Sequence, residues 1–68
     1  MDGWMMETWK KFLNKHVVVI TIDPSNMSIQ KKIGVFVGAT ATHLLLNQDY
    51  AETAILLKQV LRVELRKL

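Results

Sequence analysis

The sequence predicts a mainly β domain in which an N-terminal α-helix, about residues 3–14, precedes five short strands, about 16–67, bent into a small barrel. Three observations predict it. A run of β-branched residues, Val17 to Ile22, is apolar on both alternating faces, as in a buried strand. The stretch 33–47 reads as two strands, the first carrying Gly34 and Gly38 on one face, where a missing Cβ lets a sheet curl over itself. Near the C-terminus, Leu61, Val63 and Leu65 alternate with Arg62, Glu64 and Arg66, a period of two.

The helix is predicted by Met5, Trp9, Phe12 and Leu13, which fall on one stripe with Glu7, Lys10 and Lys11 off it. Asp2 can cap its start and Lys15 sits near the negative end of its dipole. Trp4 shares its face with Lys11 and Lys15. Lys10, Lys11 and Lys15 form a solvated face or, with Trp4, a second nucleic-acid surface or a membrane-surface contact.

A first strand over 16–22 ends at Asp23-Pro24-Ser25-Asn26, where proline fixes φ and three polar side chains can bond the turning backbone. A second strand over 28–39 alternates, with Ile29, Lys31, Ile33, Val35 and Val37 on one face. Its polar half, Ser28, Gln30 and Lys32, is expected to face solvent at the strand's start. Residues 40–42 make a short connection, a third strand runs to Asn47, and 48–52 is a polar loop. There Tyr50 stands beside Asp49 and Glu52, either stacking on a base or packing on a neighbouring subunit; the acidic neighbours weigh against the base. The tail, 53–68, also fits an amphipathic helix along Leu57, Val60, Leu61 and Glu64. Its two-residue alternation favours two strands joined by one turn at Lys58-Gln59-Val60.

One domain fills the 68 residues, and a chain of this size buries only about 60% of the surface it exposes when unfolded. It has no cysteine and its two histidines are far apart, so disulfides and metal do not supply the missing stability. With 50% of residues hydrophobic, self-association is the expected remedy. Ile55, Leu57, Leu61, Val63 and Leu65 are the candidates for the seam, through an open strand edge whose N–H and C=O groups a second copy can pair. An edge proline at position 63 is expected to collapse such an assembly. The net charge of +3 suits solubility and tilts toward an anionic partner. No segment approaches the ~20 apolar residues of a membrane span, and no basic, apolar and cleavage regions succeed one another at the N-terminus, so no membrane insertion and a cytoplasmic location are expected.

Several residue patterns carry a resemblance to a known family. Phe12 to Ile22 matches an opening strand, Gly34-Val-Phe-Val-Gly38 a bent second strand, and Leu44-Leu-Leu-Asn47 a third. With a leading helix and a single turn before the last strand, the chain resembles the Sm-like family, which includes Sm and Lsm proteins and bacterial Hfq. The resemblance implies a strongly bent, SH3-like small barrel and a homo-oligomeric ring that binds single-stranded RNA at loops around a central pore. Thr40 stands where the family has Asp, His43 falls at or next to its base-contacting Asn, and the Arg-Gly of the second motif is absent. Lys58-Gln59 stands in its place, closer to the Lys-His pair of Hfq.

Chemistry by catalysis finds no support. There is no cysteine, the two histidines sit at strand boundaries, no acid–base constellation stands out, no His or acidic cluster has metal-ligand spacing, and no glycine-rich loop precedes a helix. A non-enzymatic protein without cofactor or metal is expected. For RNA, the needed types are a flat group to stack, an amide or imidazole for base edges, and a cation for phosphate. His43, Gln59 and Lys58 supply these types, and the resemblance adds Thr40 and brings all four around the pore. The competing readings are a structural or protein-interaction ring without an RNA site, and an SH3-like adaptor.

Overall fold

The computed structural model describes residues 9–66. Five strands form one antiparallel sheet: β1 (His16–Ile22), β2 (Ile29–Ala39), β3 (His43–Gln48), β4 (Ala51–Leu56) and β5 (Val60–Leu65), in the order β4-β3-β2-β1-β5. The tail is therefore stranded and not helical. Its turn is a 3-10 segment at Leu57–Gln59, one residue earlier than expected.

The start of the expected helix, including Met5 and Trp4, lies outside the described residues. Over 10–14 an α-helix is replaced by a 3-10 turn at Lys10–Phe12, which Leu13 leaves with ψ 131° and Asn14 ends at φ 61°. The backbone then joins the sheet. Asn14 N–H donates to Phe36 O at 2.8 Å and Phe36 N–H to Lys15 O at 3.0 Å, which pins the entry segment to β2. Trp9, Phe12 and Phe36 gather there, with ring centroids 5.8–6.1 Å apart. Such spacing suits offset or tilted aromatic contacts. Of the apolar stripe anticipated for a helix, the described residues Trp9, Phe12 and Leu13 are thus carried by a tighter turn and its two caps.

Val17 and Val19 of β1, Phe36 of β2, Leu44 and Leu46 of β3 and Ile55 of β4 form the core with Phe12. Leu13, Ala39, Leu57, Val60 and Val63 pack against it. The inward face of β2 is the one that holds Gln30, Lys32, Gly34 and Phe36, because Thr21, Val19 and Val17 of β1 pair with Gln30, Lys32 and Gly34. Ile29 and Ile33 face outward, 63% and 44% exposed. The expectation that the polar residues face solvent at the strand's start holds for Ser28 and Gln30, which are exposed, while Lys32 is half-buried; farther along, Phe36 is the one large apolar side chain on that face, and it goes into the core.

Two irregularities set which residues face inward. In β2 the partners are Phe36 with Leu46 and Gly38 with Leu45, leaving Val37 extra. Phe36 and Ala39 then share the inner side although three residues apart, as a β-bulge allows. In β5, Ile20 pairs with Arg62 and Thr21 with Val60, so Leu61 is the extra residue. Between β3 and β4 the polar loop expected at 48–52 shrinks to Asp49 and Tyr50, since Gln48 pairs with Ala51 and Asn47 with Glu52. Both turn residues have positive φ, 49° and 67°, the pattern of a type I′ hairpin. The 23–26 turn forms as expected, with Met27 N–H donating to Asp23 O at 2.7 Å and Asp23 N–H to Ser28 O at 2.8 Å.

β4 and β5 are consecutive, yet they occupy opposite edges of the sheet. Four inter-strand steps in a flat sheet would separate them by about 19 Å, at ~4.8 Å per step. The chain from Leu56 to Val60 reaches at most about 14 Å when fully extended, and less through a 3-10 turn. The sheet must therefore curl strongly, and the three residues between these strands hold it curled.

Candidate functional site

Curling brings two connections together at one end of the sheet. The first is residues 40–42 between β2 and β3, the second the Leu57–Gln59 turn. Leu57 N–H donates to Thr42 O at 2.9 Å, and His43 pairs with Leu56 across β3 and β4. A depression of about 350 Å³ opens between them, lined by Ala41, Thr42, Leu56, Leu57 and Lys58.

Thr40 closes the loop it stands in. Its N–H donates to His43 O at 2.8 Å, and its hydroxyl accepts from His43 N–H at 3.0 Å and Thr42 N–H at 3.3 Å. A short hydroxyl side chain bonding its own backbone a few residues on is the usual way such a turn is stabilised. The role this geometry gives Thr40 is to position the loop. The His43 imidazole is tethered by Thr42, with Oγ1 2.7 Å from Nδ1. Whichever atom carries that proton, Nε2 has no hydrogen-bond partner among the described residues, and the ring is half-buried.

Lys58 is exposed on the 3-10 turn and is the one charged group lining the depression; Gln59 is half-buried and does not line it. The four residues singled out in the sequence thus divide: Lys58 borders the depression, His43 adjoins it through Thr42, Thr40 holds the backbone, and Gln59 stands aside. Sequence reasoning missed Thr42, whose hydroxyl orients the ring. The signal was present as two threonines flanking Ala41 just before a histidine, a spacing that permits both hydroxyls to bond locally.

The seam candidates divide as well. Ile55 is 4% exposed and packs in the core opposite Leu44, so its side chain does not reach an outer edge. Leu57 and Val63 are half-buried against the core. Leu61 and Leu65, 53% and 47% exposed on the edge strand β5, are the large apolar groups left open there.

Among the described residues no group of three or more His, Asp or Glu stands close enough to hold a metal ion, and no helix is long and apolar enough to cross a membrane. No family model, curated protein or solved structure matches the chain.

Proposed function

We propose that the chain is a divergent Sm-like protein whose curled sheet forms a small barrel, assembles into a homo-oligomeric ring and binds single-stranded RNA at the junction of the 40–43 loop and the 57–59 turn. The observation that carries this reading is the Leu57–Thr42 hydrogen bond. It joins the two connections that the Sm-like resemblance assigns to the pore, one carrying Lys58 and the other the tethered His43 imidazole. In that arrangement Lys58 meets phosphate and the His43 ring meets a base, by its face or by Nε2. Thr40 and Thr42 keep the ring and backbone in place, which lowers the ordering cost of binding.

Binding of oligo-U and oligo-A by the full chain at low salt tests the site. His43→Ala and Lys58→Ala should each weaken binding, and Lys58→Ala should also flatten its salt dependence by about one counterion. A ring that ignores both oligonucleotides would favour the structural ring, for which Thr40 in place of the family's Asp and the absent Arg-Gly speak.

A further inference from the structure

A second concavity, about 560 Å³, lies away from the loop–turn junction, between the start of β1, the middle of β2 and the β3–β4 hairpin. This volume is in the range that accepts a nucleotide-sized ligand. Gly34 is among its lining residues and lies close against β3, since any Cβ there would meet Asn47 O at 2.7 Å. Gln48 braces one side by donating from Nε2 to Ile33 O at 3.1 Å, which leaves its amide oxygen as an acceptor.

Tyr50 borders the recess and is the informative residue. It is fully exposed, contributes nothing to the core, and sits at φ 67° in a turn position that favours glycine. A bulky ring at such a position has a local cost and no packing return within the chain, and strained residues of this kind gather where a ligand is handled. The other end of the recess has Arg66, exposed and without an ion pair among the described residues. Its backbone N–H donates to His16 O at 2.9 Å, which fixes the residue's position against β1 at this end of the recess. Asp49 lies on the Tyr50 side, so an anionic group is repelled there and directed toward Arg66. A planar apolar surface at one end, a free guanidinium at the other and amide groups between them match one ligand chemistry.

We propose that this recess binds a single nucleotide unit, its base against the Tyr50 ring and its phosphate on Arg66. The site goes beyond the loop–turn reading and does not depend on it. The unit is either a free mononucleotide or one residue of a single strand, and the probes below separate the two.

The test is a titration of the isotopically labelled full chain followed by amide resonances, with AMP, UMP, a short oligo-A and inorganic phosphate as separate probes. Shifts at 34, 48–50 and 66 with AMP or UMP are expected for a free mononucleotide site. The same shifts with oligo-A alone identify a strand residue, and either result supports the proposal. Tyr50→Gly should weaken binding about tenfold or more, the scale of one lost base–aromatic stack. Because glycine accepts positive φ without strain, the variant's thermal midpoint should hold or rise, so that lost binding is not lost folding. Arg66→Gln should weaken binding and flatten its dependence on salt. His43→Ala and Lys58→Ala should leave these particular shifts in place, which keeps failure here distinct from failure at the loop–turn junction. Equal affinity for inorganic phosphate, unchanged binding by Tyr50→Gly, or no shift with any nucleotide probe at millimolar concentration would each overturn the proposal.

Discussion

Gly34 shows how one residue sets a local geometry. A Cβ at this position would stand 2.7 Å from the Asn47 carbonyl oxygen and 3.0 Å from Gln48 Cγ. The first neighbour is backbone of the paired strand and cannot swing aside. Gly34→Ala is therefore expected to lower stability by about 1–3 kcal/mol through overpacking. Urea denaturation of the two proteins checks this, and an unchanged midpoint would contradict it. Gly38, beside the bulge, has open space where its Cβ would go. The two glycines read alike in the sequence, and the structure tells them apart: a close approach at Gly34, open space and a φ of 159° at Gly38. At Asp23, hydrogen bonds from the Ser25 hydroxyl, 2.7 Å, and from Ser25 N–H, 2.9 Å, hold the carboxyl below its usual pKa. A depressed folded-state pKa means that the carboxylate's contribution is present above the unfolded value and is lost as pH falls through the lower folded one. Stability measured from pH 5 down to about pH 2 should accordingly fall less steeply in Asp23→Asn, whose side-chain oxygen still accepts from Ser25 but does not titrate. Matching slopes in the two proteins would remove Asp23 from the acid response.

Among the connections, the 40–43 loop depends on one hydroxyl. Thr40→Val leaves the His43 and Thr42 N–H groups without that acceptor, a loss of about 0.5–1.5 kcal/mol for a hydrogen bond in a partly exposed loop. Thr40→Ser should recover most of it. Amide exchange at 42 and 43 is the direct readout, and slow exchange in Thr40→Val would show that the hydroxyl is dispensable. Legibility differed among the elements for identifiable reasons. The strand β1 was plain because β-branched residues fill both faces. In β2, Ile29 and Ile33 outnumber Phe36 as apolar positions yet stay exposed, because pairing with β1 is what decides which side is covered. The bulges at Val37 and Leu61 shift the pairing by one residue, which no alternation count reveals. The Asp49-Tyr50 turn was hidden because its usual sequence is Asn-Gly or Asp-Gly, and tyrosine does not announce positive φ. For the same reason the recess beside it was not foreseen. Proximity of the 40–43 loop to Lys58 followed from the family resemblance, whereas the local bonds of Thr40 and Thr42 came only with the backbone path.

At the scale of the whole molecule, curling leaves β4 and β5 as two edges that do not pair with each other, and β5 carries Leu61 and Leu65 in the open. Exposed edges of this kind invite pairing with a second chain. Because one chain offers two different edges, pairing β4 of one copy with β5 of the next is heterologous, and it closes into a ring when the rotation per copy divides a full turn. The Arg66 N–H points to β1, where it bonds His16 O. Alternation along a strand then turns the N–H groups of Leu65 and Val63 toward the open edge. Val63→Pro and Leu65→Pro thus remove donors from the seam without removing donors to β1. Light scattering on a sizing column should give a multiple of 7.8 kDa for the native chain and a smaller mass for both variants. Circular dichroism distinguishes a folded, smaller species from an unfolded one, and Leu65, half exposed, tests the edge with the least disturbance of the core. A monomeric wild-type chain, or a folded Leu65→Pro of unchanged mass, would contradict assembly through β5.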